Sequence, residues 1–305
     1  MPALFRYLIW IALILLLACQ SPTHSAIYPR YEAPVCIEHL DSQVRETSGL
    51  LWIDDQLWTH NDSGDEPLLY QLDPANGKVL RRIRIEGAEN QDWEELASDS
   101  AWIYIGDMGN NAGYRDNLRI FKVSKAAVLS AEDGASVLSE GEIQFHYPEQ
   151  ENLQASDDHN FDCEAMVAWE GKLWLFTKNR GNQRSTLYQL PTDTGKVAAK
   201  RISEFDVQGT ITGADFQSES GSLALVGYEW NGEPMPFLWV FPGLMQIAQF
   251  GKADVIAHRI NFEDYFQMEA VVFRDENRFW ISCEQRNTAE GRLFCLELDA
   301  LEPLL

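Results

Sequence analysis

With 305 residues, 45% hydrophobic and 11% aromatic, the chain can bury one large core or two ordinary ones, which excludes an intrinsically disordered protein. Its formal net charge of -23 repels phosphate backbones and anionic lipid surfaces, so nucleic acid is excluded as a partner. Cations or basic partners are favoured, although the same charge also serves plain solubility.

The chain opens with one basic residue, Arg6, and the apolar run Tyr7–Ala18. The run is shorter than the roughly 20 residues that span a bilayer and has the size of a signal-peptide apolar region. It ends in Leu16-Leu-Ala-Cys19, which resembles the bacterial lipobox. The resemblance implies a signal peptide over 1–18 and lipidation of Cys19. Gln20, where Asp would signal retention, implies the outer membrane, facing the periplasm. A plain secretory signal or a single N-terminal anchor is the alternative. Several acyl chains would hold the protein at a membrane, where one alone binds marginally. Residues 19–34, with frequent Ser, Pro and Thr and no apolar period, read as a tether.

From Val35 to the end, one domain of short strands follows, separated by Gly, Asn, Asp and Pro turns. A unit recurs: an acidic residue, an apolar strand, a turn, then a second strand ending in polar residues. Its copies are Glu46–Leu50 with Leu57–Asp62, Asp92–Ala97 with Trp102–Asp107, Asp162–Val167 with Leu173–Asn179, the looser Gly213–Phe216 with Leu223–Glu229, and Gln267–Val272 with Phe279–Glu284. A third strand follows each, and an alternating, half-polar strand closes four of them: Val79–Ile85, Glu142–Tyr147, Arg201–Val207 and Val255–Phe262. Self-similarity of this kind marks a repeat architecture. Four strands per unit predict an all-β protein, a β-propeller of about five blades, with six possible. The last unit stops after three strands and an orphan strand, Val35–Leu40, precedes the first. The orphan is expected to close the last blade, which removes two open sheet edges. This would bring Cys36 and Cys295 onto neighbouring strands, as a disulfide or as two small buried side chains. Helix is expected only at Lys125–Ser130 and Leu244–Gln249. The acidic stretch Glu149–Asn160 reads as a long loop over one face.

Strand alternation in a propeller gathers two loop sets on one face, around the central channel. The expected result is a ring of carboxylates at Glu46, Glu94, Glu95, Glu164, Asp215 and Glu269. Around it should stand His60, Asn61, Asp62, Asp107, Asn110, Asn111, Asn179, Arg180 and Glu284, with Trp93 and Trp230 as loop aromatics. Crowded like charges raise one another's pKa unless neutralised, and a hard cation such as calcium, which takes six to eight oxygens, would do so. The alternative is structural: an acid before a strand can bond the backbone of the next blade. His60 and His159 are possible general bases, or solvated histidines. No thiol pair suggests zinc, and no nucleophile elbow or phosphate loop appears.

The motifs Glu46-Thr-Ser-Gly-Leu50, Asp92-Trp-Glu-Glu-Leu-Ala97 and Asp162-Cys-Glu-Ala-Met-Val167 resemble elements of bacterial exported propellers. These are the SdiA-regulated family and, more distantly, the esterase-like phytases and the calcium-dependent paraoxonase/gluconolactonase group. The resemblance implies a channel divalent ion, with Glu46 and Asp215 at matching positions. Two functions are therefore expected as alternatives. One is an envelope-anchored monomer with a calcium-binding face for a protein or small-molecule ligand. The other is a metal-dependent hydrolase of esters, lactones or phosphoesters.

Overall fold

A computed structural model describes residues 35–244, 246–252, 255–262, 266–285 and 290–298. The expected signal peptide, Cys19 and the tether lie outside these residues. The first strand, β1 (Val35–His39), starts no unit of its own. Unit I is β2 (Thr47–Ile53), β3 (Gln56–Asn61), β4 (Leu68–Leu72) and β5 (Val79–Glu86). Unit II is β6 (Trp93–Ser98), β7 (Trp102–Asp107), β8 (Arg119–Ser124), a short helix α1 (Lys125–Ser130) and β9 (Ser136–His146). Unit III is β10 (Cys163–Trp169), β11 (Lys172–Thr177), β12 (Ser185–Pro191), the accessory β13 (Gly195–Ala198) and β14 (Lys200–Phe205). Unit IV is β15 (Thr210–Gln217), β16 (Ser222–Trp230), β17 (Pro234–Phe241) and β18 (His258–Asn261). Unit V is β19 (Met268–Phe273), β20 (Arg278–Cys283) and β21 (Arg292–Glu297), and β1 completes it by pairing antiparallel with β21. The N-terminal strand thus closes the last sheet, as the orphan strand predicts.

Burial follows strand order. β2, β6, β10 and β19 are buried almost throughout, whereas β5 alternates, with Ile83 and Ile85 inward and Arg82, Arg84 and Glu86 more exposed. That is the pattern of a sheet whose inner edge faces protein on both sides and whose outer edge meets water. The innermost strands pack in sequence, β2 on β6, β6 on β10, β10 on β15, β15 on β19 and β19 back on β2, which closes a ring. Each seam carries its own apolar core. Leu51, Ile53 and Ile85 meet Leu96, Ile103 and Phe121 between units I and II, and the closing seam joins Leu50 and Leu57 to Val272 and Trp280. A buried aliphatic or aromatic side chain contributes about 1.5–3 kcal/mol. Every seam buries ten or more residues, so sheet packing holds the ring together.

Helix α1 lies where expected and is capped by Ser124, whose Oγ accepts from Ala127 N–H at 3.3 Å. The second expected helix is a single 3₁₀ turn, Ile247–Gln249. The surplus length of unit II is not a loop throughout. The start of β9 pairs parallel with β5, and its end pairs parallel with β13, so it sews three outer edges together. The expected clasp is corrected by register. Val35 stands opposite Cys295 and Cys36 opposite Phe294, one residue out of phase, and Cys295 carries a free thiol.

Candidate functional site at the channel mouth

A β-bulge interrupts the innermost strand at its start in every unit. The pairs just before it are Ser48–His60, Trp93–Asp107, Cys163–Thr177, Ile211–Gly227 and Met268–Cys283. The next residue is Gly49, Glu94, Glu164, Thr212 or Glu269, and Ser48, one residue before the bulge of unit I, holds the place of the glutamates in the repeated motif. A bulge re-aims one side chain out of the alternating pattern, and bulges are frequent beside functional sites. Here it brings three glutamates and the Thr212 hydroxyl to equivalent positions around the ring. Glu46 lies three residues ahead of the unit I bulge and is exposed. Asp215 lies three residues beyond Thr212, and its Oδ2 accepts from Phe273 N–H at 2.8 Å. Asp215 also lines a cavity of about 530 Å³ formed by later residues of all five inner strands, at the other end of the channel. The two positions matched through the family resemblance are therefore corrected: neither belongs to the glutamate ring.

Glu95 is fully buried and crosses the channel. Its Oε1 accepts from Leu96 N–H and its Oε2 from Ala214 N–H, both at 2.9 Å, so unit II is tied to the non-adjacent unit IV. Burial pushes its pKa well above the usual carboxylate range, and these backbone donors pull it partly back. Gly49 explains how the side chain fits. A Cβ there would stand 2.8 Å from Leu96 N and 3.0 Å from Glu95 Cα, and its φ of +59° suits glycine. Glu95 is a structural strut, and its expected place among metal ligands is corrected.

Glu94 is different. It is 4% exposed, and among the described residues no N–H or O–H donor reaches its carboxylate, whose oxygens keep some contact with solvent. Its charged neighbours, Asp62, Glu164, Asp92 and Asp162, are all acids, and burial followed by their repulsion raises its pKa strongly. One oxygen each of Asp62, Asp92 and Glu94 lie within 4.8 Å of one another. Burial, then Asp92, pushes Asp62 up to about 7. Burial likewise pushes Asp92 up to about 6, against the pull of Arg115, whose Nη1 lies 3.8 Å from Asp92 Oδ2. Gly109 makes room for the cluster. A Cβ on it would lie 2.0 Å from Glu94 Oε1 and 2.4 Å from Asp92 Oδ2. Sequence reasoning reached Glu94 and Asp62 but not Asp92, which it read only as part of the repeat, and not Gly109.

Glu164 and Glu269 share a cation that the sequence reading undervalued. Lys178 is buried, and its Nζ donates to Glu164 Oε2 at 2.6 Å. Burial pushes Glu164 up to about 8 despite this pairing, while the surrounding acids hold Lys178 above its ordinary range against its own burial. Glu269 accepts from Gln267 Nε2 at 2.5 Å and is raised by burial, with Glu284 and Glu164 adding to it. Glu284 is half-buried and also raises Asp62.

Several expected mouth residues serve the frame. His60 is fully buried, stacks edge-on against Trp93 at 5.6 Å, and donates from Nδ1 to Asn61 O at 2.9 Å. Burial lowers its pKa to about 4, so it stays neutral and is no accessible base. Trp93 is likewise interior and donates to Glu89 O. Asp107 is held by Arg115 at 3.0 Å and Arg119 at 2.8 Å. Asn61 accepts from Glu46 N–H, Asn110 donates its backbone N–H to Asp162 Oδ1 at 2.8 Å, and Asn179 accepts from Thr177 Oγ1 at 2.6 Å. Arg180 bonds Asp162 at 2.9 Å and reaches exposed Asn111, linking units II and III. His159 donates from Nε2 to Asn111 O at 3.1 Å and accepts Phe161 N–H on Nδ1, so it pins the 149–160 loop to the mouth. Trp230, by contrast, is 55% exposed.

No protein-family model matches the sequence, and no curated protein matches it. By structure, the chain is similar to an exo-β-1,3-galactanase from Phanerochaete chrysosporium, seen with galactose (TM-score 0.53, 10% identity) and, as a variant, with β-1,3-galactotriose (TM-score 0.52, 11% identity). Each match covers 88% of this chain and 64% of the galactanase chain, so the chain spans less than two thirds of that protein. A Penicillium chrysogenum α-L-arabinanase complexed with arabinobiose is also similar (TM-score 0.46, 8% identity, 87% of this chain and 98% of that one). At these identities the likeness establishes the β-propeller-type fold and nothing finer.

Proposed function

We propose that the channel mouth is a hard divalent-cation site, calcium before magnesium, in an envelope-anchored monomeric propeller that binds a ligand at this face. Glu94 carries the reading: a nearly fully buried carboxylate with no donor among the described residues, facing two further carboxylates. A buried acid without partners is costly unless it is protonated or coordinates a metal. Asp62, Asp92 and Glu94 would supply the protein oxygens, and calcium's tolerance of irregular coordination suits a set drawn from two units. The test is calorimetric titration of EDTA-treated protein with calcium and magnesium, repeated on Glu94→Gln. Saturable calcium binding that the substitution weakens by at least about tenfold supports the site. Binding unchanged by the substitution, or no binding to wild type, rejects it.

Hydrolysis is the second reading, and Glu164 favours it. Its carboxyl is held at about 8, beside Lys178, which itself lines a cavity, the setting of a group that can hold and deliver a proton near neutrality. The similar galactanase acts on a glycosidic bond, and this extends the reading from esters, lactones and phosphoesters to glycosides. A bound cation would supply charge stabilisation to the substrate. Turnover of any of these substrate classes that Glu164→Gln abolishes, while calcium binding persists, would establish it.

A further inference from the structure

The cavity of about 530 Å³ at the other end of the channel has no part in either reading above. It begins just past the Glu95 strut: Leu96 is one anchor of that strut and Asp215 follows the other, Ala214. The strut therefore separates it from the acid cluster at the mouth. We infer that this cavity binds a small organic cation, an ammonium group on an apolar body, with Asp215 as its counter-ion. The site is distinct from the metal site proposed at the mouth.

The walls select for an apolar body. Every unit contributes one: Leu51, Leu96, Val167, Phe216 and Phe273 all line the cavity. Its volume falls within the range of small-molecule sites, about 300–1,000 Å³, whose walls are mostly apolar with a few placed polar groups. Asp215 is such a group. Its Oδ2 accepts from Phe273 N–H at 2.8 Å, which fixes the carboxylate in place between units IV and V. A carboxylate has about four acceptor positions, so the backbone leaves it capacity for a ligand.

Charge selects for a cation. Glu219 and Glu276 are exposed residues of the same lining, and Asp275 is paired with Arg278, whose Nε donates to it at 2.6 Å. Arg274 is the one basic residue of the lining, and its guanidinium lies over the Trp280 ring at 5.4 Å. An anion would therefore meet Asp215 inside and two further acids at the entrance. A metal ion is a poor match for the opposite reason. Calcium needs six to eight oxygens, and among the described residues the one group of three acids whose ligand atoms lie within 4.8 Å of one another is the mouth cluster. A single fixed carboxylate among aliphatic and aromatic side chains suits an ammonium, which needs one counter-charge and lets its carbon body replace water on the walls.

The experiment is a saturation-transfer NMR titration of the full chain in EDTA at pH 8, where both Asp215 and an alkylamine are charged. Phenylbutylamine is the probe, with phenylbutanol and phenylbutyrate as neutral and anionic counterparts of similar size. The amine should bind wild type about tenfold more tightly than the alcohol, the difference between a charge-assisted and a neutral hydrogen bond, and the acid should bind least. Asp215→Asn keeps an acceptor for Phe273 N–H and should bring the amine down to the level of the alcohol. Ser218→Trp, a substitution at an exposed lining position, should weaken amine and alcohol alike, and it carries the test if Asp215→Asn does not fold. No transfer from the amine, binding of the alcohol or acid as tight as that of the amine, or amine binding that survives Asp215→Asn or Ser218→Trp in folded protein overturns the inference. Amine binding lost in Asp62→Asn instead would place the probe at the mouth and overturn it equally. Calcium is absent throughout, so the outcome does not depend on whether the mouth binds a metal.

Discussion

Raising the pH of the EDTA-treated protein from about 5 to about 8.5 should lower its melting temperature, and calcium should abolish the loss. The cause is the pair Asp62 and Asp92, whose carboxyls are pushed up to about 7 and about 6 from an ordinary 3.8, chiefly by burial. Between the unfolded and folded pKa values, the folded protein keeps protons that the unfolded chain has released. Stability is therefore fully present below about pH 4 and falls as pH rises through 6 and 7. For Asp62 the difference corresponds to on the order of 4 kcal/mol and for Asp92 to about 3 kcal/mol. The Asp62 shift includes the charge of Asp92, so the two do not simply add, and the combined effect is about 4–5 kcal/mol at most. In a domain of this size 1 kcal/mol moves the midpoint by about 2–4 °C, so a fall of about 10 °C is expected. Calcium replaces the protons with a charge that the carboxylates favour, and the midpoint should then hold across the window. Scanning calorimetry at several pH values, with EDTA or calcium, on wild type and Asp62→Asn, measures this directly. A midpoint in EDTA that is flat or rising over the window, or an Asp62→Asn slope equal to wild type, refutes the reasoning.

Three further substitutions separate frame from site. Glu95→Ala leaves Leu96 N–H and Ala214 N–H unpaired in the channel, at about 1–3 kcal/mol each, so urea unfolding should show a loss of about 3–5 kcal/mol with or without calcium. Lys178→Met strands Glu164 without its counter-charge and should cost about 3–5 kcal/mol above pH 8, with the cost shrinking as pH falls and Glu164 takes a proton; a pH-independent loss would mean that packing, not charge, is at stake. Gly109→Ala drives a methyl group into Glu94 and Asp92, so calcium affinity measured by calorimetry should fall about 10–100-fold while unfolding in EDTA changes much less.

The sheet order was legible because each unit repeats the same burial logic. An apolar inner strand such as Leu173–Phe176 and an alternating outer strand such as Val79–Ile85 declare their places in the ring, and the orphan Val35–Leu40 has one edge to fill. The site was legible only in part. The repeat was aligned on acids, and acids occur for different reasons at different offsets. Glu46 and Asp215 preserve the chemical type but not the bulge position, whereas Thr212 preserves the position but not the type. Only register distinguishes them, and a one-residue bulge is invisible to hydrophobic periodicity. His60 and Trp93 misled for a related reason. They sit at strand ends, where exposure is the ordinary expectation, but the seam between units I and II covers them. The role of Lys178 leaves no trace in the repeat, because its partner Glu164 lies on another strand and only the fold brings the two together.

The bulge also shows which positions the fold can spare. Ser48 Oγ donates to Glu94 O and Thr212 Oγ1 to Met268 O, both at 2.7 Å, so at these two positions the hydroxyl stitches one unit to the next. An ionised glutamate has no proton to donate and cannot make that bond. At positions 94, 164 and 269 the chain therefore gives up a seam bond and also buries an acid whose ionisation its surroundings oppose. Such a sacrifice in stability is what a site built for a ligand costs its frame. Replacing Glu94 with threonine exposes the trade. The hydroxyl removes the repulsion with Asp62 and Asp92 and can bond a seam carbonyl as Ser48 and Thr212 do. Glu94→Thr should therefore melt higher than wild type in EDTA by several degrees, about 1–2 kcal/mol, and lose its calcium response. If it melts lower in EDTA, the glutamate belongs to the frame rather than to a ligand site.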